Sequence, residues 1–247
     1  GEIENKGIEL SIGLQLVDTK DWNVRLNASY NTNHNKVLSI GNAVPFAIGG
    51  FSSRTVQTVV AEGEPVGFIR GYKAVLNPDN SLKEILPLQN LGSTLPTAYG
   101  NFSLSASYRN LSFMLSGDYQ YGAYVHSFDR QFRFSKGLKD DAIPEKALEG
   151  LDQGANWLNF TNFFVEKSDF LKIRNIGVAY DYKPKKYLKS VNLAFNVYNP
   201  FAFTASSVDP EAALAGARSQ GAVAVGGLNY SSYSTPRQYV GTIRVSF

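Results

Sequence analysis

The 247-residue chain contains no cysteine, one methionine and two histidines, and only 18% of its residues are charged. Without cysteine there is no disulfide, thiolate metal site or cysteine nucleophile. The charged fraction is below the roughly 25% usual for soluble domains. The balance of 24 Lys and Arg against 21 Asp and Glu leaves a net charge of +3, scattered along the chain. Nucleic-acid binding is excluded as a default, since phosphate recognition needs basic residues gathered on one face. No run approaches the 18 apolar residues of a transmembrane helix. The opening GEIENKGIEL has no initiator methionine and no signal-peptide pattern, and reads as the interior of a longer polypeptide.

What is abundant is aromatic, 14 Tyr and 16 Phe, together with period-2 alternation. The alternation recurs in segments of about 9 to 11 residues, the length of a tilted strand crossing a bilayer. Ile8, Leu10, Ile12, Leu14 and Leu16 share one face, and Glu9, Ser11, Gly13 and Gln15 the other. After the turn DTKD, Trp22, Val24, Leu26, Ala28 and Tyr30 oppose Asn23, Arg25, Asn27, Ser29 and Asn31. Further segments run over Ala98 to Arg109, from Asn110 through Tyr121, Phe170 to Tyr182, Val191 to Asn199 and Arg237 to Phe247. In Phe170 to Tyr182 the apolar parity flips between Ile173 and Ile176, which predicts a bulge near Arg174 and Asn175.

The connections alternate in length. DTKD, the turn at Asn110 and the basic stretch KPKKYLK are short, whereas those within 32–97, 122–169 and 200–236 are long. Transmembrane barrels sort their loops in this way and a soluble sandwich does not. The expected fold is therefore all-β, an antiparallel transmembrane barrel with about seven spanning strands here. Single-chain bacterial barrels have even strand numbers, so closure requires either a pair hidden within Val37 to Pro96 or strands upstream.

Five segments carry a resemblance. GEIENKGIEL, GEPVGFIRGY at Gly63 to Tyr72, SDFLKIRNIGVAYDY at Ser168 to Tyr182, NPFAFTASSVDPE at Asn199 to Glu211 and TPRQYVGTIRVSF at Thr235 to Phe247 resemble, in order, the C-terminal barrel of SusC/RagA-type TonB-dependent transporters. The resemblance spans residues 1–247 and implies the C-terminal part of a 22-stranded barrel whose plug domain and N-terminal strands are absent from this chain. It implies active import of glycan or peptide fragments across the outer membrane of a Gram-negative, Bacteroidota-like bacterium. It also implies a SusD-like surface lipoprotein as lid, and TonB with its inner-membrane energising complex acting through the plug. No covalent chemistry, metal or cofactor is expected.

On parity, Arg25, Asn27, Arg109, Asp118, Gln120, Asn192, Asn196 and Arg244 are expected to face the lumen, contacting plug or solute. In the long loops, Tyr72, Trp157, Phe201, Tyr230 and Tyr233 are candidates for solute or lid contact, with packing inside the loops as the competing use. Trp22 and Tyr239 are placed among interfacial aromatics that anchor the barrel in outer-membrane lipid, and the terminal Phe247 resembles a barrel-insertion signal.

Other patterns fall to simpler readings. His34 and His126 lack a second ligand at zinc spacing and read as polar residues at loop ends. No G-x-S-x-G elbow supports a serine nucleophile, and the glycines of GEPVGFIRGY match no nucleotide loop. PDNS at Pro78 to Ser81 reads as a turn rather than a calcium loop. Lys183, Lys185, Lys186 and Lys189 read as a solvated turn, with anionic headgroups as the alternative. Ala212 to Gly227 reads as a short helix and a flexible segment. Competing functions are a soluble carbohydrate-binding β-sandwich and a smaller standalone outer-membrane barrel, an enzyme if its rim carried a catalytic set.

Overall fold

The computed structural model describes residues 1–50, 56–184, 188–211, 226–230 and 233–247. Its strands, in chain order, are β1 (Glu2–Lys6), β2 (Glu9–Asp18), β3 (Trp22–Thr32), β4 (His34–Ser39), β5 (Phe46–Gly50), β6 (Gln57–Val60), β7 (Phe68–Leu76) and β8 (Leu82–Gly92). They continue as β9 (Ala98–Tyr108), β10 (Leu111–Tyr121), β11 (Tyr124–Ser127), β12 (Val165–Lys167), β13 (Phe170–Tyr182), β14 (Ser190–Thr204), β15 (Leu228–Asn229) and β16 (Gln238–Ser246). Two α-helices, α1 (Phe128–Ser135) and α2 (Gln153–Asn156), and two 3₁₀ helices, Glu145–Leu148 and Trp157–Phe164, lie in the connections.

The segments marked by alternation form one seven-stranded antiparallel meander, β2-β3-β9-β10-β13-β14-β16. Cross-strand partners keep the two faces apart across all seven strands. Leu14, Leu26, Leu104, Leu115, Ile176, Val197 and Tyr239 form one continuous row. Gly13, Asn27, Ser103, Ser116, Asn175, Tyr198 and Gln238 form a parallel row on the opposite face. The bulge lies where parity predicts it. The register of β13 steps from Ile173 to Asn175 against both neighbours, so Arg174 drops out of the pairing and both halves of the strand keep their apolar residues on one face.

Burial is inverted relative to a water-soluble sheet. Of the buried apolar residues, Phe170 alone belongs to the seven strands, whereas Leu10, Ile12, Leu14, Phe113, Val178, Leu193, Phe195 and Ile243 are exposed. Among the described residues no second sheet covers that face, which is what a sandwich requires. β2 and β16 are the sheet's two edges, so it is not closed as it would be in a standalone barrel. The strands found within Val37 to Pro96 do not supply a closing pair. They form a separate sheet, β5-β6-β7-β8, while β4 pairs with β1.

A meander places successive connections at opposite ends, so the three short turns share one end and the three long connections the other. The described parts of the long connections fold into a layer of their own. Ala74, Phe134, Ile143, Ala147, Phe160 and Phe164 form one buried cluster, and Val56, Ile69 and Leu228 a second. A small sheet, β12-β11-β15, joins two of these connections through the parallel pairing of His126 with Leu228. The PDNS hairpin turn is as expected: Asp79 Oδ1 accepts from the Ser81 amide at 3.1 Å, and Asn80 takes a φ of 65°. Lys185 and Lys186, and the expected helix and flexible segment over 212–225, lie outside the described residues.

Candidate functional site

The polar face of the meander carries most of the residues that alternation selects. Arg25 Nε donates to Gln15 Oε1 at 3.2 Å, and Asn27 Nδ2 to Ser103 Oγ at 3.3 Å. Asn192 Nδ2 donates to Asp181 Oδ1 at 2.7 Å, with Arg244 opposite Asn192 in the ladder. Asn196 accepts from Asn175 at 3.4 Å, and Gln120 Nε2 reaches Ser168 Oγ at 3.2 Å. Small side chains on this face, among them Ser105, Ser107, Ser112, Gly177 and Ala194, leave a hollow of about 350 Å³.

Arg109 is a correction to the lumen-facing set. It occupies the two-residue turn between β9 and β10 with φ at 51°, and its guanidinium pairs with Asp21 at 3.2 Å at the short-turn end. Reversing the chain in two residues takes Arg109 out of the strand, so parity no longer fixes its face.

Asp118 leads to a cluster that alternation alone does not reveal. Its carboxylate receives Arg174 Nη2 at 2.8 Å as well as Arg174 Nε. Arg174 Nη2 also meets Glu211 Oε1 at 2.5 Å. Lys172, whose side chain is 5% exposed, meets Glu211 Oε2 at 2.5 Å and Asp209 Oδ1 at 2.6 Å. Two cations on β13 thus bind one carboxylate from the wall and two from the segment after β14. Burial works against the charges on Asp209 and Glu211, but the bonds from Lys172 and Arg174 prevail and hold both carboxyls below their usual range. Within the cluster Lys172 and Asp209 are the buried pair, and removing Lys172 costs about 3–5 kcal/mol because the buried Asp209 carboxylate is left without its cation. A cavity of about 180 Å³ adjoins the cluster, lined in part by Asn199, Thr204, Ser206 and Thr235.

The aromatic loop candidates separate into distinct environments. Trp157 is half-buried, packs on the Phe134 and Phe160 cluster and meets Phe128 edge-on at 6.2 Å, which makes it a packing residue of the loop layer. Tyr72 lies within β7 and is half-buried. Phe201 is not in a loop: β14 continues through it, and it pairs with Ile173 on the apolar face. Tyr230 packs edge-on against Phe128 at 5.1 Å, and Tyr233 is 94% exposed. The aromatics expected at a membrane interface lie on the apolar face near the strand ends, where Trp22 and Tyr108 are 4.6 Å apart and Tyr239 and Phe247 are exposed.

His126 also differs from its reading as a polar loop-end residue. It is fully buried in β11, with Nε2 at 2.6 Å from Gln131 Oε1, while Gln131 in turn donates to Thr161. Burial pushes its pKa down to about 4, against a partial opposing effect of the Gln131 bond. His34 lies in β4 and is exposed. Among the described residues, no group of three or more His, Cys, Asp or Glu is placed to hold a metal ion.

No family model matches the chain. Two curated proteins of Formosa agariphila, TonB-dependent receptor P3 and TonB-dependent receptor P26, are each 24% identical to it over 290 and 297 aligned residues. Both alignments cover all of this chain, which spans 29% of the length of these relatives. Among solved structures, the RagAB peptide importer in its closed-closed state matches 99% of the chain with a TM-score of 0.71 at 20% identity, covering 30% of that protein. The open-open state matches with a TM-score of 0.70 at 19% identity, covering 29%. At such identity the structural match speaks to the fold. The curated relatives agree with the TonB-dependent part of the resemblance carried by the five sequence segments, and the solved structures agree with its fold.

Proposed function

We propose, from the likeness of this chain to part of a SusC/RagA-type TonB-dependent transporter, that it forms the C-terminal wall and outer loop layer of an outer-membrane importer. In this reading β2 and β16 pair with strands outside residues 1–247 to close a 22-stranded barrel in a Gram-negative outer membrane. The apolar rows face lipid, the polar face lines a lumen that holds a plug, and the loop layer forms part of the outer mouth. Glycan or peptide fragments enter under a SusD-like lipoprotein lid when TonB acts on the plug. The chain contributes walls, charges and loops and no bond-making chemistry. Arg25, Asn27, Asp118, Gln120, Asn192, Asn196 and Arg244 serve the lumen, Tyr230 and Tyr233 the mouth, and Trp22, Tyr239 and Phe247 the membrane interface.

The observation that carries this reading is the inverted burial: each of the seven strands exposes large apolar side chains on one face, among them Leu10, Trp22, Tyr108, Phe113, Val178, Phe195 and Ile243, with a polar row behind them. Arginine at a lipid-facing midplane position costs about 2–4 kcal/mol and far less toward a wet lumen. Leu104→Arg and Ser105→Arg are adjacent in β9 and point to opposite faces. In the full-length protein, Leu104→Arg is expected to reduce the folded, detergent-extracted outer-membrane fraction severalfold, with Ser105→Arg near wild type. Equal losses overturn the assignment of faces, and extraction without detergent overturns the membrane reading.

A further inference from the structure

The strap that follows β14 is held to the wall in an unusual way. Among the described residues its last backbone bond to the neighbouring segment is Ala205 N to Asp169 O at 2.9 Å, and Ser207 Oγ bonds Glu166 at 2.8 Å. Beyond Ser207, among the described residues, the carboxylates of Asp209 and Glu211 on Lys172 and Arg174 fasten it to β13, and Asp209 Oδ2 also accepts from the Thr235 amide at 3.4 Å. Glu211 spans both cations, one oxygen on each, in the manner of a bound carboxylate ligand. The two cations do not depend equally on the strap. Arg174 keeps Asp118 from the wall when Glu211 is absent, whereas both acidic partners of Lys172 belong to the strap.

We propose that Lys172 and Arg174 form a carboxylate-binding site on the polar face which the chain's own Asp209 and Glu211 occupy, so that residues 205–211 act as a self-ligand displaced by a carboxylate-rich solute. This rests on the reading of the polar face as a lumen, and names the chemistry of a solute that would bind there. Exchange of one carboxylate for another leaves the ionic bonds of the site equal in number and breaks no strand ladder. A strap that left without replacement would strand the buried Lys172 charge, so release is coupled to arrival of an anion. The adjoining cavity of about 180 Å³ offers room for the remainder of a bound residue. The shared chemistry is a chain of carboxylates, either an acidic peptide or a uronate oligosaccharide.

The test is equilibrium binding to the full-length protein in detergent, without TonB, using triglutamate, trigalacturonate and neutral triglutamine as probes. Neutralising the self-ligand with Asp209→Asn and Glu211→Gln together is expected to tighten binding of an acidic probe at least tenfold over wild type. Tightening for triglutamate assigns the site to peptides, and tightening for trigalacturonate assigns it to uronates. Adding Lys172→Met to that background is expected to abolish the gain. No tightening for either acidic probe, an equal gain for triglutamine, or a gain that survives Lys172→Met overturns the proposal. Hydrogen exchange gives a readout on the unmutated protein: saturating acidic probe is expected to raise exchange over residues 205–211, and unchanged protection with probe bound overturns displacement. Because binding is read in detergent, these outcomes are independent of the membrane-insertion test of Leu104 and Ser105.

Discussion

Tyr119 Oη lies 3.1 Å from the carbonyl oxygen of Ser29, two strands away, because the strand between them presents Gly100 at the crossing point. The β3 and β9 ladder is regular through Ala28 and Phe102 and resumes at Asn31 and Tyr99, so Ser29 sits in the interval. There the phenol hydroxyl bonds the Ser29 carbonyl while Ser29 Oγ accepts from the Asn101 amide at 3.0 Å. A side chain at position 100 would collide with the Ser29 carbonyl and come within 2.7 Å of the hydroxyl. Tyr119→Phe, which loses one hydrogen bond, is expected to cost about 1 kcal/mol. Gly100→Ala forces overpacking against backbone and is expected to cost about 1–3 kcal/mol. Urea unfolding of the detergent-folded protein checks the order, and a Gly100→Ala protein more stable than Tyr119→Phe contradicts it.

The loop layer and the wall are expected to fail separately. Phe160 is fully buried and meets Phe134 edge-on with ring centroids 5.8 Å apart, in a cluster to which none of the seven wall strands contributes. Phe160→Ala is expected to cost the loop layer about 3–5 kcal/mol. Limited proteolysis should then cut within 124–165 while the β-sheet signal and detergent-folded mobility persist. Loss of both together would mean that wall and loops form one cooperative unit.

Arg109 tests how the short-turn end is built. Its φ of 51° is a left-handed conformation that costs a non-glycine residue roughly 1–2 kcal/mol. Its pairing with Asp21 is exposed on both sides and contributes about 0–1 kcal/mol. Relief of the backbone therefore outweighs loss of the pair, and Arg109→Gly is expected to be neutral to slightly stabilising. A drop in the unfolding midpoint equivalent to more than about 1 kcal/mol would show that the ion pair is the stronger element.

The wall was legible in the sequence because two different surroundings, one on each face, sort its residues at every second position. Even the bulge at Arg174 shows as a flip of parity between Ile173 and Ile176. Phe201 was misplaced because Asn199 and Pro200 look like the end of a strand. In the structure both fall in the bulge opposite Arg174, with Asn199 at a φ of 51°, where a proline without an amide hydrogen is tolerated. The loop layer was not legible, since all its strands but β7 and β8 are short, several are buried on both faces and carry no alternation, and β11 meets β15 across about a hundred residues. The cluster of Lys172, Arg174, Asp209 and Glu211 was hidden for the same reason. Its two halves occur in quoted segments, SDFLKIRNIGVAYDY and NPFAFTASSVDPE, but no local spacing joins them.

His126 supplies a pH dependence with a definite sign. Its folded pKa of about 4 lies below the roughly 6.5 of an unfolded histidine, because burial disfavours the cation and the nearby Arg130 adds to that effect. Between these values the unfolded segment binds a proton that the folded one excludes, so folding weakens as pH falls from about 6.5 toward about 4. The slope approaches 1.4 kcal/mol per pH unit at most, for a total on the order of 3 kcal/mol. The effect belongs to the unit built on β11 and α1, where His126 bonds Gln131. Hydrogen exchange over residues 124–131, corrected for intrinsic rates, is therefore expected to show lower protection at pH 5 than at pH 7. His126→Gln, which removes the titrating group, should flatten that difference even where it lowers protection throughout. Equal pH dependence in the wild type and the variant would place the titrating group elsewhere in the loop layer.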